Sequence, residues 1–383
     1  MKPAVLHCYA DYKWTGPSEP VVLLCRELLR RGWPVKLACQ AAVGEGNRCL
    51  PGEARRMGVP VDDGFAFSGR SAIGHNVRDA ERLSRLIEDG GFALVHAHGS
   101  WDHVVAAWAA RRGPSRPPVL RTDHGGRQFR GHPLERFQFG PRLTDHLIVL
   151  CDQFRTRALE RLRRAPSTVT TVRGAVDASE FRPRTPPPGL RARLGFKDTD
   201  VVFALVARVQ RHRRFDVLLK AAEIARRTEP RVKIVVLGRG TRKQELLDLP
   251  VARRWLGDTV FPLGYRRDDY RDVLAAADAG LMLVPGSDGS CRAAMQLAAM
   301  AKPLVVARRG VLPDIVLDGV TGIVVQDTPR LLAEALCEMA GLSPEQRAAW
   351  GRAGRERVIE CFNLDRQVEA VIAVYEAVLA RRT

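Results

Sequence analysis

The sequence predicts an α/β protein with two Rossmann-like domains, and three observations support this prediction. Short apolar segments alternate with longer amphipathic segments, a pattern that builds parallel sheets covered by helices. A proline-rich segment from Pro183 to Gly189 interrupts the alternation, which restarts at Val201. The chain also has 383 residues, a length that favours two domains over one.

The first half contains six predicted strands: AVLHCYA, PVKLACQ, FALVHAHG, PVLRTDHG, HLIVLC and TVTTVRGAV. The helix EPVVLLCRELLRRG between the first two is expected to stop at Gly32, because glycine commonly follows a helix C-terminus. Residues 1–183 are therefore the predicted N-terminal domain.

The second half repeats the pattern with the predicted strands VVFALVARV, VKIVVLG, TVFPLGY, AGLMLVP, PLVVA and GIVV. Helices are predicted from Phe215, near Thr241 to Trp255, over DDYRDVLAAA and near Cys291 to Met300. Residues 190–362 are the predicted second domain. A final helix at 363–383 has apolar residues at helical spacing and is expected to pack back on the first domain.

Composition excludes several classes of protein. The start, MKPAVLHCYADYKW, does not resemble a signal peptide, and no segment reaches about 18 uninterrupted apolar residues. The eight cysteines lack zinc-site spacing, so we expect buried thiols in a reducing cytoplasm. The formal charge of +18 favours anionic partners, but the few aromatic residues do not interleave with the basic segments, which argues against nucleic acid.

Polar residues follow several predicted strands, where parallel sheets bind their ligands. Gly16 lies in a segment between the first strand and first helix, which suits either an anion site or an ordinary turn. His96, His98 and His124 follow neighbouring strands, and their imidazoles suit either a ligand cleft or structural roles. Their spacing does not indicate a zinc site.

An arginine cluster follows the first strand of the second half. Arg208 comes directly after VVFALVA, and Arg211, Arg213 and Arg214 follow it. Guanidinium groups at such a strand end are suited to holding a diphosphate and stabilising it as it leaves. The alternative is a solvated basic loop.

The segment PGSDGSCRAAMQLAAMAKPLVVARRGVLPDIVLDGVTGIVV resembles the donor-binding segment of family 4 (group 1) retaining glycosyltransferases of the GT-B type. The family pattern begins with P-S-x-x-E-G-F-G, whose glutamate is the first of an E-x7-E motif. It ends in G-G-x-P-E-I-V-x-D-G-x-T-G. ARVQRHRRFDVLLKAAE, RGAVDASEFRP and LGYRRDDYRDVLAAADAG resemble further family segments, so that the similarity covers nearly the whole chain.

The resemblance implies two facing Rossmann-like domains with the donor in the cleft between them. It also implies a role for individual residues. Arg208 and Arg213 would grip the donor diphosphate, which Gly16 would face, and Tyr265 would lie near the nucleobase. His124 and Asp288 would be the catalytic residues beside the sugar.

The departures from the family pattern concern the donor pocket. Asp288 and Gln296 stand where the family has two glutamates, and Ser290 and Cys291 replace Phe-Gly after Gly289. Gln296 can still bond ribose hydroxyls through its amide, although exchanging a charge-assisted bond for a neutral one costs about 1 kcal/mol. Backbone amides from Gly289 to Cys291 are expected to position the sugar.

By resemblance, the reaction is transfer from a nucleotide-diphosphate sugar with retention at the anomeric carbon and without a metal. The expected acceptor is a cell-envelope saccharide, such as lipopolysaccharide, or a lipid-linked saccharide. The segment QFRTRALERLRR is either a solvated helix or a basic amphipathic helix on the inner face of an anionic membrane, with five arginines: Arg155, Arg157, Arg161, Arg163 and Arg164. Two alternatives remain, a non-catalytic relative that binds another transferase and a sugar-nucleotide epimerase or hydrolase.

Overall fold

The computed structural model describes residues 2–42, 49–69, 73–124, 129–238, 257–285 and 291–381. These residues form two compact units, each built around one sheet. The first unit contains the described residues of 2–174 together with 364–381, and the second contains those of 175–285 together with 291–363. Two parallel-sheet α/β units were the predicted fold class, which is confirmed.

In the described residues of the first unit, seven parallel strands lie in the order β3-β2-β1-β4-β5-β6-β7. The strands are β1 (Ala4–Tyr9), β2 (Val35–Gln40), β3 (Val61–Phe65), β4 (Phe92–Ala97), β5 (Val119–Asp123), β6 (His146–Val149) and β7 (Val169–Thr171). The helices are α1 (Ser18–Arg30), α2 (Leu50–Arg56), α3 (Ile73–Asp89), α4 (Ser100–Arg112), α5 (Pro133–Gln138) and α6 (Asp152–Leu162).

In the described residues of the second unit, six parallel strands lie in the order β10-β9-β8-β11-β12-β13. They are β8 (Val201–Val206), β9 (Val232–Leu237), β10 (Val260–Gly264), β11 (Ala279–Met282), β12 (Leu304–Ala307) and β13 (Gly322–Val325). The helices are α7 (Leu190–Arg193), α8 (Phe215–Thr228), α9 (Tyr270–Ala276), α10 (Arg292–Ala299), α11 (Leu312–Ile315), α12 (Pro329–Gly341) and α13 (Pro344–Cys361). The helix predicted near Thr241 to Trp255 lies outside the described residues.

The last helix, α14 (Leu364–Leu379), belongs to the first unit. Val368, Val371 and Tyr375 join the apolar cluster between α1 and the sheet, and the Tyr375 ring lies edge-on to Trp33 with centroids 5.7 Å apart. An ion pair between Arg31 and Asp365 adds a polar contact at the start of α14. The final helix therefore completes one face of the first core.

The boundary between the units differs from the predicted one. The first unit ends at Gly174 rather than at residue 183, because the segment that follows packs within the second unit. The Val176 amide donates to the carbonyl of Phe362 over 3.0 Å, and the Phe181 ring lies edge-on to Tyr270. The prolines mark a break in secondary structure, but the change of core occurs earlier.

None of the described helices is long and apolar enough to cross a bilayer. All eight cysteines are free thiols, and five of them are buried: Cys8, Cys25, Cys39, Cys151 and Cys291.

A close backbone approach fixes α13 against the turn that follows α10. A Cβ atom added to Gly351 would lie 2.0 Å from the carbonyl oxygen of Ala301 and 3.4 Å from Cδ of Pro303. Gly354 lies one helical turn later on the same helix, and a Cβ there would meet only ordinary contacts, the nearest being Cβ of Thr321 at 3.7 Å. The two glycines therefore have different reasons to be present.

We expect Gly351→Ala to lower the free energy of unfolding by about 2 kcal/mol, because the methyl group would push α13 away from the Ala301 carbonyl. Gly354→Ala is the matched control and should raise it by up to about 1 kcal/mol, since alanine has the higher helix propensity. Urea unfolding of both variants tests this, and equal effects would contradict the close-approach argument.

Candidate functional site

Imidazoles gather at the carboxyl edge of the first sheet. His7 on β1 and His96 on β4 are register partners in neighbouring parallel strands, so their side chains lie on the same face. His98 follows β4, where its amide donates to the carbonyl of Cys8 over 3.0 Å, and His124 follows β5. The sheet topology thus brings together three histidines that the sequence singled out and a fourth, His7, that it did not.

These rings form one continuous hydrogen-bonded chain. Nε2 of His124 lies 3.0 Å from Nδ1 of His98, and Nε2 of His98 lies 2.9 Å from Nδ1 of His7. The Tyr375 hydroxyl then lies 3.2 Å from Nε2 of His7 and 2.7 Å from Nδ1 of His96. Nε2 of His96 ends the chain, 2.7 Å from Oγ1 of Thr122.

Burial keeps this chain uncharged. Desolvation lowers the pKa of His7 and of His124 to about 3, and it lowers the pKa of His96 and His98 well below the usual histidine value. The buried guanidinium of Arg121 lowers the pKa of His124 further. All four rings are therefore neutral at physiological pH, and each carries one hydrogen.

Asp102 holds the loop that carries His98. Its Oδ2 accepts hydrogen bonds from the amides of His98 over 2.9 Å and Gly99 over 2.6 Å, at the start of α4. A Cβ on Gly99 would lie 2.3 Å from Oδ1 of Asp102, so a larger residue at this position would require the carboxylate to move. Burial raises the pKa of Asp102, whereas Arg121 and the two amides oppose that rise.

Nitrogen atoms of His7, His96 and His98 lie within 4.8 Å of one another, which is close enough for one metal ion. The hydrogen-bonded chain already engages both nitrogens of each ring. A metal would therefore have to displace hydrogen bonds that satisfy buried polar atoms.

In the second unit, two of the predicted arginines lie at the carboxyl edge of the sheet. Arg208 follows β8 and is exposed, whereas Arg213 lies in a short 3-10 helix and is buried. Nη1 of Arg213 donates to the carbonyl of Pro285, which follows the neighbouring strand β11. Arg214 instead pairs with Asp327 over 3.4 Å, and the Arg211 side chain lies outside the described part of the structure.

Gln296 lies on α10, where its Oε1 accepts a hydrogen bond from the Tyr270 hydroxyl over 2.8 Å. Cys291 precedes the helix in a left-handed conformation with φ of 53°, and it is buried. Tyr265, predicted to meet the nucleobase, is 57% exposed after β10. Sequence reasoning missed Tyr270, since nothing in its local pattern indicates a partner 26 residues away.

Comparison with known proteins identifies the family. The profile described as "Glycosyltransferase Family 4" matches residues 16–180, and that described as "Glycosyl transferases group 1" matches residues 200–341. A D-inositol 3-phosphate glycosyltransferase of Saccharomonospora viridis is 33% identical over 323 residues, covering 78% of this chain and 73% of the relative. The chain belongs to the group 1, family 4 glycosyltransferases.

Solved structures give the fold of this glycosyltransferase as GT-B. A glycosyltransferase from Rickettsia africae has a TM-score of 0.81 at 14% identity, with 99% of each chain covered. Anabaena HepE in complex with UDP and glucose has a TM-score of 0.77 at 16% identity, covering 97% of this chain and 99% of that one.

Of the remaining predicted site residues of the glycosyltransferase, Asp288, Gly289 and Ser290 lie outside the described residues. Gly16 is exposed in the turn that leads into α1. Their roles stay predictions.

The structure corrects the membrane-helix prediction for α6 of the glycosyltransferase. Arg164 is buried, and its guanidinium donates to backbone carbonyls that include those of Thr144 and Asp145, each over 3.1 Å. Phe154 and Leu162 are buried as well, so the apolar face of α6 packs on the protein's own core. Arg155 is half-buried and bonds the Val169 carbonyl, Arg157 is half-buried, and only Arg161 and Arg163 of the five are exposed.

Neutral buried histidines make the stability of the glycosyltransferase depend on pH. Burial lowers the pKa of His146 to about 4, so below pH 6.5 the unfolded chain binds a proton that the native state does not bind. The contribution of such a histidine to the free energy of unfolding is therefore fully present above pH 6.5. It is lost as the pH falls towards 4, at about 1.4 kcal/mol per pH unit for each such histidine.

We expect His146→Gln to reduce the stability lost between pH 6 and pH 5 by about 1 kcal/mol, because one proton-linked group is removed. The amide can still bond Thr170, which His146 Nε2 meets at 2.9 Å. Urea unfolding at both pH values measures the loss. His75→Gln is the control, because His75 is solvent-exposed, and an equal change in both variants would contradict the argument.

Proposed function

We propose that this chain transfers a sugar from a nucleotide-diphosphate sugar and that Arg208 and Arg213 bind the donor diphosphate. The observation that carries the proposal is the state of Arg208. It is exposed, whereas Arg213 five residues later is buried, and among the described residues the Arg208 guanidinium forms no hydrogen bond or ion pair. A solvent-facing guanidinium at a strand end, with its donors available, is suited to an incoming phosphate.

The proposed chemistry is stabilisation of the leaving diphosphate. When the bond between sugar and diphosphate breaks, negative charge accumulates on the phosphate oxygens, and fixed guanidinium charges lower the energy of that state. The Pro285 carbonyl holds Arg213 in place, so little reorganisation is needed. Retention at the anomeric carbon and transfer without a metal remain part of the proposal by family resemblance. Asp288 and His124 are the proposed catalytic contacts to the sugar.

On the nucleoside side, we propose that Gln296 donates a hydrogen bond to ribose. Its Oε1 accepts from Tyr270, which leaves the amide NH₂ for a ligand oxygen. The family glutamate at this position could only accept. The replacement therefore changes the direction of the ribose hydrogen bond and preserves a contact.

We expect Arg208→Ala to weaken UDP binding by about 10- to 100-fold, because a charge-assisted hydrogen bond to phosphate is lost. Isothermal titration calorimetry with UDP, GDP and other nucleoside diphosphates measures this and identifies the nucleobase. The matched control is Arg227→Ala, since Arg227 is an exposed arginine of the same unit paired with Glu223. Unchanged UDP affinity in Arg208→Ala would remove the donor-site assignment.

For the acceptor, we propose a lipid-linked or cell-envelope saccharide presented at an anionic membrane. The residues that support this lie on α5, where Leu134 and Phe137 are 49% and 53% exposed. Nε of Arg136 donates to the carbonyl of Arg161, which places α5 beside the exposed Arg161 and Arg163 at the end of α6. Exposed apolar side chains beside cations suit the headgroup region of an anionic bilayer.

We expect the double variant Leu134→Ser/Phe137→Ser to lower binding to vesicles containing phosphatidylglycerol by about tenfold, because two apolar anchors are lost. Liposome flotation measures the bound fraction. Ile224→Ser is the control, since Ile224 is an exposed apolar residue of the second unit. Binding that is equal in all variants, or independent of anionic lipid, would exclude this surface.

A second candidate acceptor is a phosphorylated cyclitol. The relative from Saccharomonospora viridis, at 33% identity, is named a D-inositol 3-phosphate glycosyltransferase, and the net charge of +18 suits a phosphorylated acceptor. Transfer to soluble D-inositol 3-phosphate without lipid would favour this candidate. Donor consumption with no acceptor would favour a hydrolase or epimerase, and nucleotide binding with no turnover would favour a non-catalytic role.

A further inference from the structure

The buried imidazole chain has a property that the individual hydrogen bonds do not reveal. Each neutral ring has one nitrogen that donates and one that accepts. Both nitrogens of His98, His7 and His96 are engaged within the chain, and the Tyr375 hydroxyl joins His7 to His96. The direction of one hydrogen bond therefore fixes the direction of every other.

We propose that this hydrogen-bonded chain sets the tautomer of His124, so that His124 carries its hydrogen on Nδ1. The chain runs through five positioning groups, which are His98, His7, Tyr375, His96 and Thr122. Only the ligand contact of His124 rests on the proposed function, and the tautomer rests on the hydrogen bonds alone.

The end of the chain decides its direction. Thr122 is buried, and in the described part of the protein its hydroxyl has one hydrogen-bond partner, Nε2 of His96. If His96 donated to Thr122, the hydroxyl hydrogen would have no acceptor among the described residues, which is costly for a buried group. If Thr122 donates to His96, every hydrogen from Thr122 through His98 has an acceptor within the hydrogen-bonded chain.

The second direction propagates from strand to strand. Thr122 donates to Nε2 of His96, whose Nδ1–H donates to the Tyr375 oxygen. Tyr375 donates to Nε2 of His7, and Nδ1–H of His7 donates to Nε2 of His98. Nδ1–H of His98 donates to Nε2 of His124, which leaves the hydrogen of His124 on Nδ1.

All four histidines are then Nδ1–H tautomers. Free neutral histidine favours the Nε2–H form, so the chain imposes a tautomer that the side chain does not favour by itself. The consequence for the proposed reaction is specific. His124 offers a neutral N–H donor to a sugar hydroxyl or phosphate oxygen and does not offer a lone pair that would accept a proton.

A metal site is the competing interpretation of the same cluster. Nitrogens of His7, His96 and His98 lie within 4.8 Å of one another, but the separations along the chain, 2.7 to 3.2 Å, are those of hydrogen bonds. The two interpretations predict different protonation of the rings, so one spectroscopic experiment separates them.

The decisive measurement is made on the wild-type protein. Histidine labelled with ¹⁵N and examined by solid-state NMR near pH 7.5 reports the tautomer of each ring. We expect Nδ1–H shifts at His7, His96, His98 and His124. Nε2–H shifts at His98 and His124 would overturn the proposal. Displacement of the ring hydrogens by one equivalent of Zn²⁺ would also overturn it in favour of a metal site.

Tyr375→Phe tests the coupling along the chain. The variant keeps the ring and removes the one hydroxyl that connects His96 to His7. We expect His7, His98 and His124 to lose their uniform Nδ1–H state, while His96 keeps its bond to Thr122. An unchanged His124 tautomer would contradict the coupling. The wild-type measurement stands if this variant does not fold.

Thr170→Val provides the matched control. Thr170 bonds Nε2 of His146 over 2.9 Å, a partly buried threonine–imidazole pair that does not belong to the hydrogen-bonded chain of His124. Only the His146 signal should change in this variant. A change at His124 would indicate that any threonine loss disturbs the sheet, and it would count against the proposal.

Addition of UDP-glucose tests the hydrogen-bonded chain and the proposed function separately. Nδ1–H tautomers together with a shift of the His124 signal support both. Nδ1–H tautomers without a shift support the chain and argue against a contact between His124 and this donor. A shift of the His124 signal together with mixed tautomers supports the donor contact and overturns the proposal that the hydrogen-bonded chain sets the tautomer.

Discussion

Burial of uncharged polar rings between the first sheet and its final helix is the constraint on which the first unit depends. Imidazoles inside an apolar core lose their water, so each must find a protein partner. Tyr375 supplies that partner to both His7 and His96, and it comes from a helix that begins at Leu364. The polypeptide therefore returns to its first unit, where the Tyr375 hydroxyl forms hydrogen bonds with His7 of β1 and His96 of β4. The final helix is therefore part of the first core and not an appendage.

The second unit differs from the first, because its predicted donor-binding side chains are charged arginines and not neutral rings. Arg213 is buried with its guanidinium on the Pro285 carbonyl, while Arg208 stays exposed. One arginine thus fixes a loop and the other remains available to a ligand. Tyr270 has a similar fixing role for Gln296, whose amide would otherwise rotate freely between two orientations. Gln296, which departs from the family pattern, is therefore accompanied by a specific hydrogen-bond partner, Tyr270.

Local periodicity predicted most strands and helices, and it failed where burial is incomplete or where the partner is distant. Strand β3 was missed because VDDGF buries only Phe65, as expected at a sheet edge. His7 was overlooked because it lies within an apolar segment, although its alignment with His96 becomes evident once the sheet order is known. Tyr375 lies 279 residues from His96, a separation that no pattern of spacing reveals. The amphipathic pattern of α6 was real, but a pattern cannot show whether the apolar face meets a bilayer or, as here, the protein's own core.

Under the proposed function, the first unit supplies orientation through His124 and the second unit supplies charge through Arg208 and Arg213. A carboxylate behind His124 would orient the ring as well, but it would also favour the imidazolium and add charge to the core. A chain of neutral rings orients His124 without that change, because burial lowers the pKa of each histidine. Positive charge is then supplied by guanidinium groups that stay protonated at any physiological pH. The sugar would meet a directional neutral donor and the diphosphate would meet fixed cations, so the protonation state of neither contact depends on the other.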